Sequence, residues 1–214
     1  MDMFGDFLKG MKNSGFGAPE APLADPKKFN DSVAEKCGWH PMKGGAANFT
    51  THKLKQTGEN LAYKPTPSVL AMGTLFTLAG LGLLAAFLVN TSSHWILPLV
   101  GLVFLGAGIF ILIQSASPAF FDSKSKTVGK GSGKKTVAGF DDIHGVQLLT
   151  KVGRVSGNSE SYQRDTYFYA YEMNLVRHDG QRVYLMTYTK KNQAIEDAGR
   201  ISKLLGCPVW DGTS

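Results

Sequence analysis

From Pro65 to Phe121 the 214-residue chain has no Asp, Glu, Lys or Arg, although 19% of its residues are charged. That gap excludes a chain lying wholly in water, because its length suits membrane spans better than a soluble core. Cysteine is nearly absent as well. Cys37 and Cys207 stand far apart with no CxxC, which excludes a disulfide framework and points to a reducing compartment. A strong charge excess is also missing: Lys and Arg outnumber acids 9 to 7 before the gap and 14 to 10 after it. So mild and even a balance argues against a nucleic-acid partner. The first 17 residues lack an apolar run and carry Asp2 and Asp6, so neither a secretory signal nor an organellar transit peptide is expected.

Two apolar runs fill the gap, 67–89 and 95–116, each about 33 Å long as a helix and so able to cross a hydrocarbon core of about 30 Å. The link Asn90-Thr91-Ser92-Ser93-His94 is too short for a return crossing, which predicts an antiparallel hairpin over 67–116. Lys64 precedes it and Lys124, Lys126, Lys130, Lys134 and Lys135 follow, so the positive-inside rule puts both termini on the cytoplasmic side of the cytoplasmic (inner) membrane. Gly73 and Thr77, and Gly82 and Ala86, are spaced by four, and Gly101 and Gly108 supply small residues opposite. These six are the candidates for close helix packing, either within the hairpin or against a partner. The spans carry no ionisable pathway, which disfavours a transporter.

Before the hairpin, Met3, Phe4, Phe7, Leu8 and Met11 form one face of an amphipathic helix over 1–12, suited to a membrane surface, a partner or simple packing. Residues 13–66 are read as a cytoplasmic segment: a Gly/Ala/Pro linker, a short helix capped by Asp25-Pro26 and running to about Cys37, and an ordered loop over 39–54. Cys37, His40 and His52 offer at most three ligands, too few for a structural zinc site, and no metal or cofactor is expected.

After a basic juxtamembrane linker, 117–135, the pattern changes to period two. Tyr167 to Val176 and Gln181 to Thr189 read as two strands joined at Asp179-Gly180, with further strands at 136–140 and 143–155 and a polar loop at 156–165. Asn192 can cap a helix whose stripe is Ile195, Ala198, Ile201, Leu204 and Leu205, ended by Gly206 and Pro208. The fold class expected is therefore an α+β membrane protein: a two-helix transmembrane hairpin followed by a small antiparallel β domain, 136–214, closed by a C-terminal helix. Phe140-Asp141-Asp142-Ile143, the strand Tyr171-Glu172-Met173-Asn174-Leu175-Val176 and the ending Leu204-Leu205-Gly206-Cys207-Pro208-Val209 carry a resemblance to bacterial two-span membrane proteins with a pleckstrin-homology-like cytoplasmic domain. The same plan is distantly similar to the photosystem I assembly factor family. Both likenesses imply a fold and carry over no binding residue.

Catalytic motifs do not survive spacing. Gly129 to Thr136 fails as a phosphate loop because Val128 stands where glycine is required and Lys135 where Ser or Thr is required. His144 and His178 accompany no marked nucleophile, and the acidic pairs Asp141-Asp142 and Glu196-Asp197 suit turns and a solvated helix. The expected role is a non-enzymatic membrane adaptor or assembly subunit presenting its β domain to a membrane-protein complex or to another copy of itself. The alternative is an anionic-lipid sensor acting through Lys124, Lys126, Lys130, Lys134 and Lys135, each worth about 1 kcal/mol near an anionic surface.

Overall fold

The computed structural model describes residues 21–89, 95–116, 119–131, 135–155 and 166–213. Nine strands and two long apolar helices dominate it. Strands β1 (His52–Thr57) and β2 (Asn60–Pro65) form a hairpin about Gly58, whose φ of +62° suits glycine. The chain then runs through two apolar helices and returns as β3 (Ala119–Asp122), β4 (Thr127–Lys130) and β5 (Lys135–Gly139). The first sheet has the order β1-β2-β3-β4-β5, every pair antiparallel, with Leu61 opposite Phe121.

The second sheet is built from β6 (Ile143–Val155), β7 (Thr166–Arg177) and β8 (Arg182–Tyr188), joined antiparallel, with β9 (Val209–Gly212) added parallel to β6. Leu54, Leu61, Tyr63, Phe121 and Val128 of the first sheet share one core with Val146, Leu148, Met173, Leu175 and Leu185 of the second. Among the helices, α1 spans Ser32–Lys36, α2 Pro67–Val89, α3 Ile96–Ser115 and α4 Lys191–Leu205. Helix α4 closes the core with Ala194, Ala198 and Ile201, while Ile195 of the expected stripe is exposed. Lys190, not Asn192, takes its N-cap position, and Gly206 ends it at φ +70°.

Three expectations are corrected. The β domain does not simply follow the helical hairpin: β1 and β2 precede it and pair with β3 beyond it, so the helices are an insertion between neighbouring strands. Residues 119–130, expected as linker, are β3 and β4 of that same sheet, because Ala119, Phe121 and Val128 alternate inward and are buried. The short helix expected up to Cys37 is broken in two. A 3-10 turn at Pro26–Phe29, capped by Asp25, ends at Asn30 in the left-handed region, and α1 restarts from Asp31, whose carboxylate accepts from Val33 and Ala34 N–H. The helix expected over 1–12, the 90–94 link and the 156–165 loop lie outside the described residues.

Residues 21–50 form a strap over the outer face of the second sheet. Trp39 stacks on Phe29 at 5.0 Å, donates its indole N–H to the Ala34 carbonyl at 2.8 Å, and packs with Trp210, Leu149 and Val176 in a second apolar cluster. Helices α2 and α3 are long and apolar enough to cross a membrane. Their outer faces expose Leu75, Leu78, Leu88, Leu102, Val103, Phe110 and Ile113.

Candidate functional site

A cleft of about 610 Å3 opens where the β domain meets the end of α3. One wall is the strap loop from Lys43 to Ala47. Another is Tyr184 to Thr187 of β8, and the rim includes His52 at the start of β1 and Gln114 near the end of α3. The junction is tied directly: the His52 ring bonds the Ser115 carbonyl at 3.1 Å, and Thr66, just before α2, donates its hydroxyl to the Thr50 carbonyl at 3.1 Å and its N–H to the Thr51 carbonyl at 2.9 Å.

Three lysines line this cleft. Lys130 ends β4 after a bulge at Val128/Gly129, where a side chain on Gly129 would meet the Phe120 ring at 2.1 Å. Its ammonium donates to the Tyr184 carbonyl, bridging the two sheets, and lies 5.0 Å from the Tyr184 ring centre. The Lys43 ammonium sits 5.7 Å from the same ring. Lys151, on β6, is buried and donates to the Lys43 carbonyl at 3.1 Å. It also pairs with Glu172 at 3.5 Å.

Glu172 is fully buried on β7, and strap and sheet together satisfy its carboxylate. Met42 N–H donates at 2.7 Å, Lys43 N–H at 3.1 Å and the Asn174 amide at 3.0 Å. The carboxylate is thus committed beneath the cleft, and among the described lining residues none is acidic. Burial pushes the Lys130 ammonium below the ordinary lysine range, and the nearby Lys43 charge adds to the effect. Burial lowers Lys151 too, against the pull of Glu172. The cleft is therefore a partly dehydrated cation cluster over a hydrogen-bonded carboxylate.

Two other polar clusters lie elsewhere. Tyr63 and Tyr188 touch hydroxyl to hydroxyl at 2.5 Å; Tyr188 donates to Asp197 at 3.1 Å, and Arg200 reaches Asp197 at 3.3 Å and the Leu54 carbonyl at 3.2 Å. Burial raises both phenols and Asp197 above their ordinary ranges, so the phenols stay protonated as a tie between the sheets and α4. His144 bonds His178 ring to ring at 3.0 Å and Asp31 at 2.9 Å, which pins α1 to the second sheet.

No protein-family model and no curated protein matches this chain. The expected site residues fall into separate places. Of the five lysines, Lys130 lines the cleft and Lys135 pairs with it across β4 and β5, whereas Lys124 and Lys126 occupy the far turn between β3 and β4, about 10 Å along the strands. Lys134 lies outside the described residues. In the helical hairpin, Gly73, Thr77, Gly101 and Gly108 meet at the seam. A side chain on Gly108 would approach Thr77 N at 2.4 Å, and one on Gly80 would approach Leu105 N at the same distance. Gly82 faces open space and Ala86 is exposed. Cys37, His40 and His52 do not converge: Cys37 is buried beside Gln147, His40 is exposed and His52 bonds α3. Among the described residues no group of three or more His, Cys, Asp or Glu is placed to hold a metal ion. Sequence reasoning missed Lys43, Lys151 and Tyr184. The one signal available was a face of β7 that mixes Glu172 and Asn174 with Ala170 and Val176, as a covered polar surface would.

Proposed function

We propose that this chain is a non-enzymatic integral-membrane adaptor or assembly subunit. Helices α2 and α3 cross the bilayer as a hairpin, both termini face the cytoplasm, and a pleckstrin-homology-like domain presents itself at the membrane surface to another membrane protein. The observation that carries this reading is the insertion of the helices between β2 and β3, neighbours in one sheet. A domain joined at two adjacent strands, and tied by His52 to Ser115, holds one orientation instead of swinging on a tether. The apolar outer faces of α2 and α3 support burial in lipid, since exposed patches of this extent are rare on soluble monomers. Phe49, exposed beside the same junction, suits the membrane interface.

The test is purification of the full chain from its native membranes in mild detergent, followed by mass measurement and identification of what accompanies it. A stoichiometric membrane-protein assembly is expected. A lone chain carrying anionic lipid would overturn the adaptor reading in favour of lipid sensing, a second reading favoured by the position of Lys130 at the membrane end of β4. Release of the chain from membranes by alkaline carbonate would overturn the spanning hairpin itself.

A further inference from the structure

Lys43, Lys130 and Lys151 line the cleft beside the strap, and among the described residues Glu172, buried beneath it, is the one carboxylate paired with them. Two of the three are partly withdrawn from water, where like charges repel more strongly than at a solvated surface. Each ammonium has three donors, and the partners described use one on Lys130 and two on Lys151. Among the described residues the Lys43 ammonium meets the Tyr184 ring face and no hydrogen-bond acceptor. Donors therefore remain without a partner among the described residues, around an opening whose wall at Gly44 and Gly45 carries no side chain to obstruct it.

We propose that this cleft is a binding site for a phosphate-bearing anion, gripped by Lys43, Lys130 and Lys151 over the Tyr184 ring. Its place at the end of α3, with Gln114 on the rim, makes the headgroup of an anionic phospholipid the natural source; a soluble phosphate has the same chemistry. The headgroup source rests on the spanning hairpin, but phosphate binding in a micelle does not, so failure of one is read separately from failure of the other. The site divides the lysines that follow the hairpin: Lys130 takes part, whereas Lys124 and Lys126 at the far turn do not.

The test uses the full chain in a neutral maltoside detergent, titrated with dihexanoyl-phosphatidylglycerol, dihexanoyl-phosphatidylcholine and inorganic phosphate. Saturable binding of phosphatidylglycerol and none of phosphatidylcholine is expected. At roughly fivefold per lysine, K43Q/K130Q weakens that binding about 25-fold, and K124Q/K126Q leaves it within about twofold. Because Lys130 also ties the sheets, K43Q alone, whose ammonium has no structural hydrogen bond among the described residues, is expected to weaken it about fivefold with an unchanged melting temperature. Inorganic phosphate binding as tightly as phosphatidylglycerol would support the site and overturn the headgroup source. Wild-type affinity in both K43Q and K43Q/K130Q, or equal weakening by K124Q/K126Q, would overturn the site.

Discussion

The two faces of the second sheet are made by alternate residues of the same strands, yet they are sealed differently: the inner face by apolar packing, the outer by the Trp39–Trp210 cluster together with a row of buried polar groups. Val146, Leu148, Met173 and Leu175 point inward to the first sheet and α4. Gln147, Lys151, Glu172 and Asn174 point outward and are just as buried, beneath the strap. Apolar packing is non-directional, so the inner face rewards any cover of the right shape. The outer face accepts one register of the strap alone. Glu172 needs the N–H groups of Met42 and Lys43, and Gln147 donates to the Gly38 carbonyl at 2.9 Å. The inner face holds by cohesion, whereas the outer face adds addressing to its own apolar cluster and so builds the cation cleft.

The strongest way to break this contrast is Leu148→Ala. It removes fully buried methyl groups from the shared core and is expected to cost about 2–5 kcal/mol, seen as a lower urea midpoint for the whole domain. Glu172→Gln should act differently. It leaves the Lys151 ammonium without its counter-charge and weakens the grip on the Met42 and Lys43 N–H groups, at about 1–3 kcal/mol. Limited proteolysis should then cut the strap near 43–49 while the domain core stays resistant; simultaneous loss of both would erase the distinction.

The smallest effect concerns Asp31. Burial would raise its carboxyl, but the His144 bond and the N–H groups of Val33 and Ala34 outweigh this and hold it below the ordinary 3.8. Its contribution is therefore complete above that pH and lost as pH falls through the lowered folded value. Hydrogen exchange of α1 should accelerate below about pH 4. Asp31→Ala, costing about 0.5–2 kcal/mol, should abolish that acid dependence; its persistence would assign the effect to another group.

Elements whose pattern is local were legible in the sequence. The apolar runs read at 67–89 and 95–116 are helices Pro67–Val89 and Ile96–Ser115 in the structure, and the β7–β8 turn falls at Asp179-Gly180, with Gly180 at φ +83°. β1 was not legible because only Leu54 of its six residues is buried and lysines flank it on both sides. Its strand character comes from β2, and β2 in turn finds β3 only beyond both helices. The cleft was hidden for the same reason. Lys43 and Lys151 lie 108 positions apart and meet only after the strap crosses β6.

Splitting the first sheet around two helices also imposes an order of events on a chain made from its N-terminus. β1 and β2 emerge early, but the free edge of β2 waits for Phe120 and Phe121, which are synthesised only after α2 and α3. Until then the hairpin is a two-stranded fragment with little stability of its own and an open edge that invites wrong partners. The lysines at 53, 55 and 64 along that fragment keep it soluble during the wait. Completion of the domain thus reports that both helices have been made and have brought residues 65 and 119 back to the same place.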